Sequence, residues 1–279
     1  MKVLLINEIN FVSNALTRNT KRGFFMKKFI GLFFVTSLFW FSSFSYSDNH
    51  VPDYSVMESF QCNFNDGKEM SDLLRVSDEW IEWMNQGNVS VPYNAFHVTS
   101  VFNNQKDFSF DTVWIGFTNN YEEMGIIQDA WAEKGTRLQA KFDKVQSCSV
   151  HSIQYVYTVR SPKEPFFNGY MTVSGCTASE GATNEAFMLA DEKMNAYLDE
   201  NNFSNGSTMR WYRGPGSGVD FPYDYLNVFV TPSFTEWGQN VDKLATGAGA
   251  VSASLYGNLQ SCDTPRVYRV TYAGGYNPE

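Results

Sequence analysis

The chain has 279 residues, 43% of them apolar and 16% aromatic, which excludes a disordered segment and calls for a packed core. Its formal net charge is −9. Residues 1–47 hold six basic side chains and one acidic one, so the rest carries 15 basic against 29 acidic, a balance that argues against nucleic acid or an anionic lipid surface as partner.

Residues 1–25 read as an upstream extension, with Met26 the natural start. Residues 26–47 read as a signal peptide. Lys27 and Lys28 supply the basic region, Phe29 to Phe41 the apolar stretch, and Ser45 and Ser47 the small residues before a cut after Ser47. The alternative is an uncleaved anchor, since Phe29 to Tyr46 could just span a bilayer. Either way the body faces an oxidising space, periplasmic or extracellular, and a cleaved chain has no further claim on the membrane.

After a short linker containing His50, Val56 to Phe64 reads as a strand in which Phe60, Cys62 and Phe64 alternate. Asp66 and Glu69 have capping-box spacing, and Met70, Leu73, Leu74, Ser77, Trp80, Ile81 and Met84 recur at helical period. Ala95 to Phe102 and Thr112 to Thr118 are the next strands, joined by the hairpin loop 103–107. Asn120 and Glu123 cap a second helix that buries Ile127, Trp131, Leu138, Phe142 and Val145, and Cys148 to Val159 is the fourth strand. The order is β-α-β-β-α-β, the ferredoxin-like unit. Right-handed crossovers place strand three between one and two, and strand four beside strand one, antiparallel to it.

The same order recurs, so that residues 53–160 and 166–275 form two repeats linked through Pro162 and Pro165. In the second, Tyr170 to Cys176 is a strand, and Phe187, Met188, Met194, Tyr197 and Leu198 mark a helix. Met209 to Arg213 and Tyr225 to Thr231 are strands around a Gly-rich loop, Gly214 to Gly218. Ser233 to Glu236 caps the next helix, which buries Trp237, Val241, Leu244, Ala248, Val251, Leu255 and Leu259, and Arg266 to Ala273 closes the unit. Cys62 and Cys148 are separated by the same distance as Cys176 and Cys262, and both second cysteines end Gln-Ser-Cys. The strand order brings each pair together, which predicts two disulfides within repeats; the alternative is buried free thiols.

Two ferredoxin-like halves can bury their bare sheet faces against each other. This tandem form, over about 225 residues, resembles the dimeric α+β barrel superfamily, whose members include antibiotic-biosynthesis-type monooxygenases and stress-responsive barrel proteins. The resemblance implies an α+β fold with paired antiparallel sheets and a ligand, where there is one, in the barrel or in a cleft beside the sheet. No catalytic motif of the family is matched, so no residue role carries over.

If Val113, Ile115 and Phe117 face the helices, then His97, Trp114, Trp211, Arg213 and Asn227 face the barrel as a mixed ligand pocket. The bland alternative is a filled core. His97 could act as a general base, although a lone strand histidine is more often structural. The three histidines lack metal-site spacing, so neither a metal nor any other cofactor is expected. The Gly-rich loop has no following Lys and reads as a hairpin rather than a phosphate cradle. Glu122 and Glu123 read as helix-opening acids, and Trp80 and Trp83 as core. The expected function is a non-catalytic small-ligand-binding or interaction module. The alternative is a cofactor-independent oxygenase or isomerase acting on a small apolar ligand between the sheets; a third reading is the structural half of a larger assembly. A polar-lined cavity holding His97 and a titratable neighbour favours the enzyme, and a filled interior the module.

Overall fold

A computed structural model of the protein describes residues 54–104 and 109–277. The upstream extension, the signal segment, His50 and most of the 103–107 loop lie outside the described residues. The first repeat runs β1 (Tyr54–Phe64), α1 (Met70–Trp83), β2 (Tyr93–Phe102), β3 (Thr112–Thr118), α2 (Tyr121–Lys134), α3 (Thr136–Val145) and β4 (Gln146–Arg160). The second runs β5 (Gly169–Ala178), α4 (Asn184–Glu200), β6 (Ser207–Tyr212), β7 (Tyr225–Thr231), α5 (Phe234–Lys243), α6 (Gly249–Tyr256), β8 (Gln260–Cys262) and β9 (Arg266–Tyr276).

Three local expectations shift. Asp66 does not cap α1: Gly67 takes φ 69° and Lys68 N–H bonds Asn65 O at 2.9 Å, so Asp66–Gly67 is a turn. The capping box forms one turn later, between Glu69 and Asp72. The second helix of the first repeat is two helices, broken at Gly135, where a Cβ would lie 2.6 Å from Trp131 O. The expected last strand, Arg266 to Ala273, lies whole within β9, but a short strand the sequence did not suggest, β8, precedes it, set apart because Asp263 leaves the ladder and its carboxylate accepts from Gly175 N–H, Tyr223 and Arg266. The Asn120–Glu123 and Ser233–Glu236 caps form as expected, with Glu123 N–H on Asn120 Oδ1 at 2.9 Å and Glu236 N–H on Ser233 Oγ at 3.1 Å.

Within the first repeat the strands lie β4-β1-β3-β2, and within the second β9-β5-β7-β6, all antiparallel. β2 pairs with β9 and β4 with β6, so the two sheets join edge to edge into a closed ring, with β8 paired to the end of β5. Closure leaves none of these eight strands with an open edge. Both disulfides form as the repeat predicts, Cys62–Cys148 and Cys176–Cys262.

The barrel interior holds Met57, Val98, Ile115, Val156, Met171 and Trp211 among others. The helix side of the first repeat holds Val56, Leu73, Trp80, Tyr93, Trp114 and Phe142. The expected facing is therefore inverted: Val113, Ile115 and Phe117 point into the barrel and Trp114 toward the helices. Both faces of this sheet are buried, so alternation separates two sets of residues without saying which set meets the helices. Compact branched side chains suit the narrow interior of an eight-stranded ring. In the second repeat α4 buries Ala190 and Asp191, while Met188, Val241 and Leu244, expected to be buried, are exposed.

Candidate active site

β1 alternates so that Val56, Glu58 and Phe60 face the helices, while Met57 and Ser59 face the barrel. Glu58 thus stands mid-strand beneath the helical layer, 4% exposed. Tyr93, the first residue of β2, reaches it across Gly116. A Cβ at Gly116 would fall 1.7 Å from the Tyr93 hydroxyl, so only glycine lets the ring cross β3. Tyr93 O–H donates to Glu58 Oε1, and Gln128 of α2 donates to Oε2. Trp114 Nε1–H donates in turn to the Tyr93 oxygen at 3.0 Å, which keeps the phenol proton directed at the carboxyl. These groups border a cavity of about 440 Å³ between the sheet and α1, α2 and α3. Its walls are aromatic: Trp80 meets Trp114 edge-on at 5.0 Å, and Trp83 meets Trp131 at 5.3 Å.

Burial pushes the Glu58 carboxyl up to about 7, against the pull of hydrogen bonds from Tyr93, Gln128 and Trp114. Burial and the neighbouring Glu58 charge raise Tyr93 well above the usual tyrosine range, so it stays a phenol. A carboxyl poised near neutrality can both take and return a proton, the property required of a general acid–base residue. Gln146 lies on the cavity wall, 8% exposed, and its Oε1 has no partner.

A protein of Fusobacterium nucleatum named as a candidate monooxygenase superposes with a TM-score of 0.50 at 8% identity, over 80% of this chain and 94% of that one. The chain has the fold of the dimeric α+β barrel superfamily. A haem-binding protein of Thermus thermophilus (TM-score 0.43, 9% identity, 79% of this chain and 95% of that one) is a more remote likeness. So is a dye-decolorizing peroxidase of Bacteroides thetaiotaomicron (0.45, 9%, 80% and 93%). No protein-family model matches the sequence, and neither does any curated protein. The expected non-catalytic module is corrected here. The structure that superposes at a TM-score of 0.50 is named as a candidate monooxygenase, and the space between the sheet and the helices is not filled but holds a cavity with a titratable carboxyl.

The five pocket candidates do not come together in this dimeric α+β barrel. Trp114 alone borders the first-repeat cavity. His97 sits behind it, its ring 5.2 Å from Trp114. Ser77 O–H donates to Leu73 O at 3.1 Å, so His97 Nε2–H is the donor to Ser77 Oγ at 2.8 Å and Nδ1 is left unpaired. Burial lowers this imidazole to about 4, so it is neutral at working pH and does not line the cavity. Trp211 and Arg213 line the opposite, barrel side, and Asn227 pairs across β6 with Arg210 on the second repeat's helix side.

The second repeat has different groups at the equivalent place. Counting from the cysteines, Ser77 corresponds to Asp191; by strand pairing, Arg210 opposite Asn227 stands where His97 stands opposite Trp114, and Arg210 makes a two-pronged buried ion pair with Asp191 at 2.7 and 2.6 Å. Glu58 corresponds to Thr172, whose hydroxyl accepts from Trp237 Nε1 at 2.8 Å. The Tyr93-over-Gly116 crossing is reversed, with Phe229 lying over Gly206. The Glu58 carboxyl thus has no counterpart at the equivalent position of the second repeat.

Among the described residues no cluster of three His, Cys, Asp or Glu could hold a metal ion. The histidine bordering the cavity, His151, is on its exposed rim with its ring 4.7 Å from Phe60, and the buried acid is already held by Tyr93 and Gln128. This donor set does not fit a haem iron, and no step is derived through one. Sequence reasoning missed Glu58, Tyr93, Gly116 and Gln128. A signal for the first was present: Glu58 is in phase with Phe60 and Cys62, on the side of the strand that those residues mark as buried.

Proposed function

We propose that the chain is an enzyme that moves a proton on a small, largely apolar ligand held between the sheet and the helices of the first repeat. Its chemistry is that of a cofactor-independent isomerase or oxygenase. The observation that carries this reading is Glu58, a fully buried carboxyl held near neutrality inside an aromatic cavity. As the carboxylate it takes a proton from an acidic C–H of the ligand, and the electron pair left behind delocalises onto an adjacent ligand oxygen. Tyr93 then accepts from the newly protonated Glu58 and from Trp114 Nε1, freeing its own O–H to donate to that oxygen. Return of the proton to a different carbon completes an isomerisation, and capture of the carbanion by dioxygen an oxygenation.

The test uses 2-tetralone, a small apolar ketone with acidic C–H bonds, in D2O. Wild-type protein is expected to accelerate deuterium uptake, with at least a ~100-fold loss in Glu58→Gln. No acceleration, or equal acceleration by the variant, would refute the assignment. Native mass spectrometry of protein purified from its source would identify the resident ligand.

Export belongs to the same reading, with residues 26–47 as signal peptide and delivery to the periplasm or the extracellular space. Two disulfides support it, and among the described residues no helix is long and apolar enough to cross a membrane. N-terminal sequencing of the mature protein should begin at Asp48.

A further inference from the structure

The barrel has a cavity of its own. About 270 Å³ lies inside the strand ring at the end covered by the β6–β7 connection, on the opposite face of the sheet from Glu58. The Gly-rich stretch of that connection forms its rim. Ile153 N–H bonds Pro215 O at 2.8 Å, and a Cβ at Gly214 or Gly216 would fall 2.2 or 2.1 Å from a β4 carbonyl oxygen. The glycines therefore let the loop lie flat along β4 and leave the barrel end open rather than plugged.

The wall is apolar, with Met171, Val173 and Tyr268, but two of its polar groups are unmatched. Trp211, 7% exposed, has no acceptor for Nε1–H. Gln154 donates to Ser152 Oγ at 3.3 Å and leaves its Oε1 unpaired. Buried polar atoms are nearly always paired, so an unmatched donor and acceptor on one cavity wall mark places where a ligand's polar atoms belong. At the mouth, Arg266 is engaged by Asp263 at 2.7 Å, and Asp263 also accepts from Tyr223 at 2.6 Å. Arg213 has no carboxylate partner among the described residues; it donates to Phe221 O at 3.2 Å and is exposed. Trp211 and Arg213 are two residues apart along one strand direction and both line the cavity, which sets them roughly 7 Å apart.

We propose that the barrel end is a second ligand site, separate from the Glu58 cavity, for an amphipathic organic anion. Its apolar or aromatic body lies against Met171, Val173 and Tyr268, its acidic head meets Arg213, and a further polar atom reaches Trp211 Nε1–H. The role assigned to this site is binding. The probe is 8-anilinonaphthalene-1-sulfonate, whose fluorescence rises on entering an apolar site. Titration of the wild-type chain is expected to saturate near one equivalent and to be competed by decanoate. Arg213→Ala, at an exposed position, should weaken binding about tenfold, and Trp211→Phe, which keeps the ring and removes the N–H, severalfold. Glu58→Gln should leave it unchanged. Wild-type affinity retained in both barrel variants, absence of saturable binding, or loss of binding in Glu58→Gln would overturn the proposal. Because the Glu58 variant is a separate arm, failure of this site and failure of the catalytic reading are told apart.

Discussion

Replacing Glu58 with Gln should stabilise the protein at alkaline pH while removing its proton-transfer group. The native carboxyl titrates near 7 and a free Glu near 4.5, so the folded state binds the extra proton between those values. Folding stability from this group is complete below pH 4.5 and is lost as pH rises through 7. The difference of about 2.5 pH units corresponds to roughly 3 kcal/mol. Gln is isosteric, accepts from Tyr93 through its oxygen, and requires only that Gln128 turn its amide. His97 works in the opposite sense, since burial holds it near 4 and stability is lost as pH falls from 6.5 toward 4. The two slopes nearly cancel in the wild type between pH 4.5 and 6.5, so the comparison with the variant isolates Glu58. Urea unfolding followed by tryptophan fluorescence should give equal stabilities at pH 4.5, a gap that widens to neutrality, and a plateau of about 3 kcal/mol by pH 8. In melting temperature this is roughly 6–12 °C for a body of this size. A gap that is independent of pH, or one already complete by pH 5, would refute the reasoning.

Tyr93→Phe removes the bond that pulls Glu58 down and leaves Trp114 Nε1 unpaired; the carboxyl should titrate higher still, and stability should fall by about 1–3 kcal/mol in the same urea assay. The corresponding positions Ser77 and Asp191 should behave differently: Ser77→Ala loses one neutral bond, about 1 kcal/mol, whereas Asp191→Ala leaves Arg210 buried and unpaired, about 3–5 kcal/mol. Removing either disulfide by paired Cys→Ser substitution should cost about 4 kcal/mol, because each closes a loop of 86 residues, with non-reducing peptide mapping confirming loss of that pair alone.

The duplication was legible because it is written in rigid terms: two equal cysteine spacings and two runs of strand and helix periodicity. Strand order followed from crossover handedness. Facing was not legible, because Val113, Ile115 and Phe117 are as apolar as a helix-facing set would be, and nothing local distinguishes the barrel side. That single inversion displaced His97, Trp114 and Asn227 from the barrel to the helix side. Glu58 was readable as a lone acid in phase with buried residues, whereas its partners were not. Tyr93 reaches it only because Gly116, 23 residues on, lies beneath the ring, a coincidence of register that exists in the paired sheet and not in either strand. The Gly-rich loop was correctly read as a hairpin, but its part in rimming the barrel depends on how closely it lies on β4.

Infrared difference titration of wild type against Glu58→Gln tests the central claim most directly, because it reads the protonation of that one carboxyl. The carboxylic C=O band missing from the variant should persist in the wild type up to neutral pH and disappear with a midpoint near 7. A midpoint between 4 and 5 would mean an ordinary, solvated carboxylate at Glu58, and would contradict the account of the first-repeat cavity as a proton-transfer site.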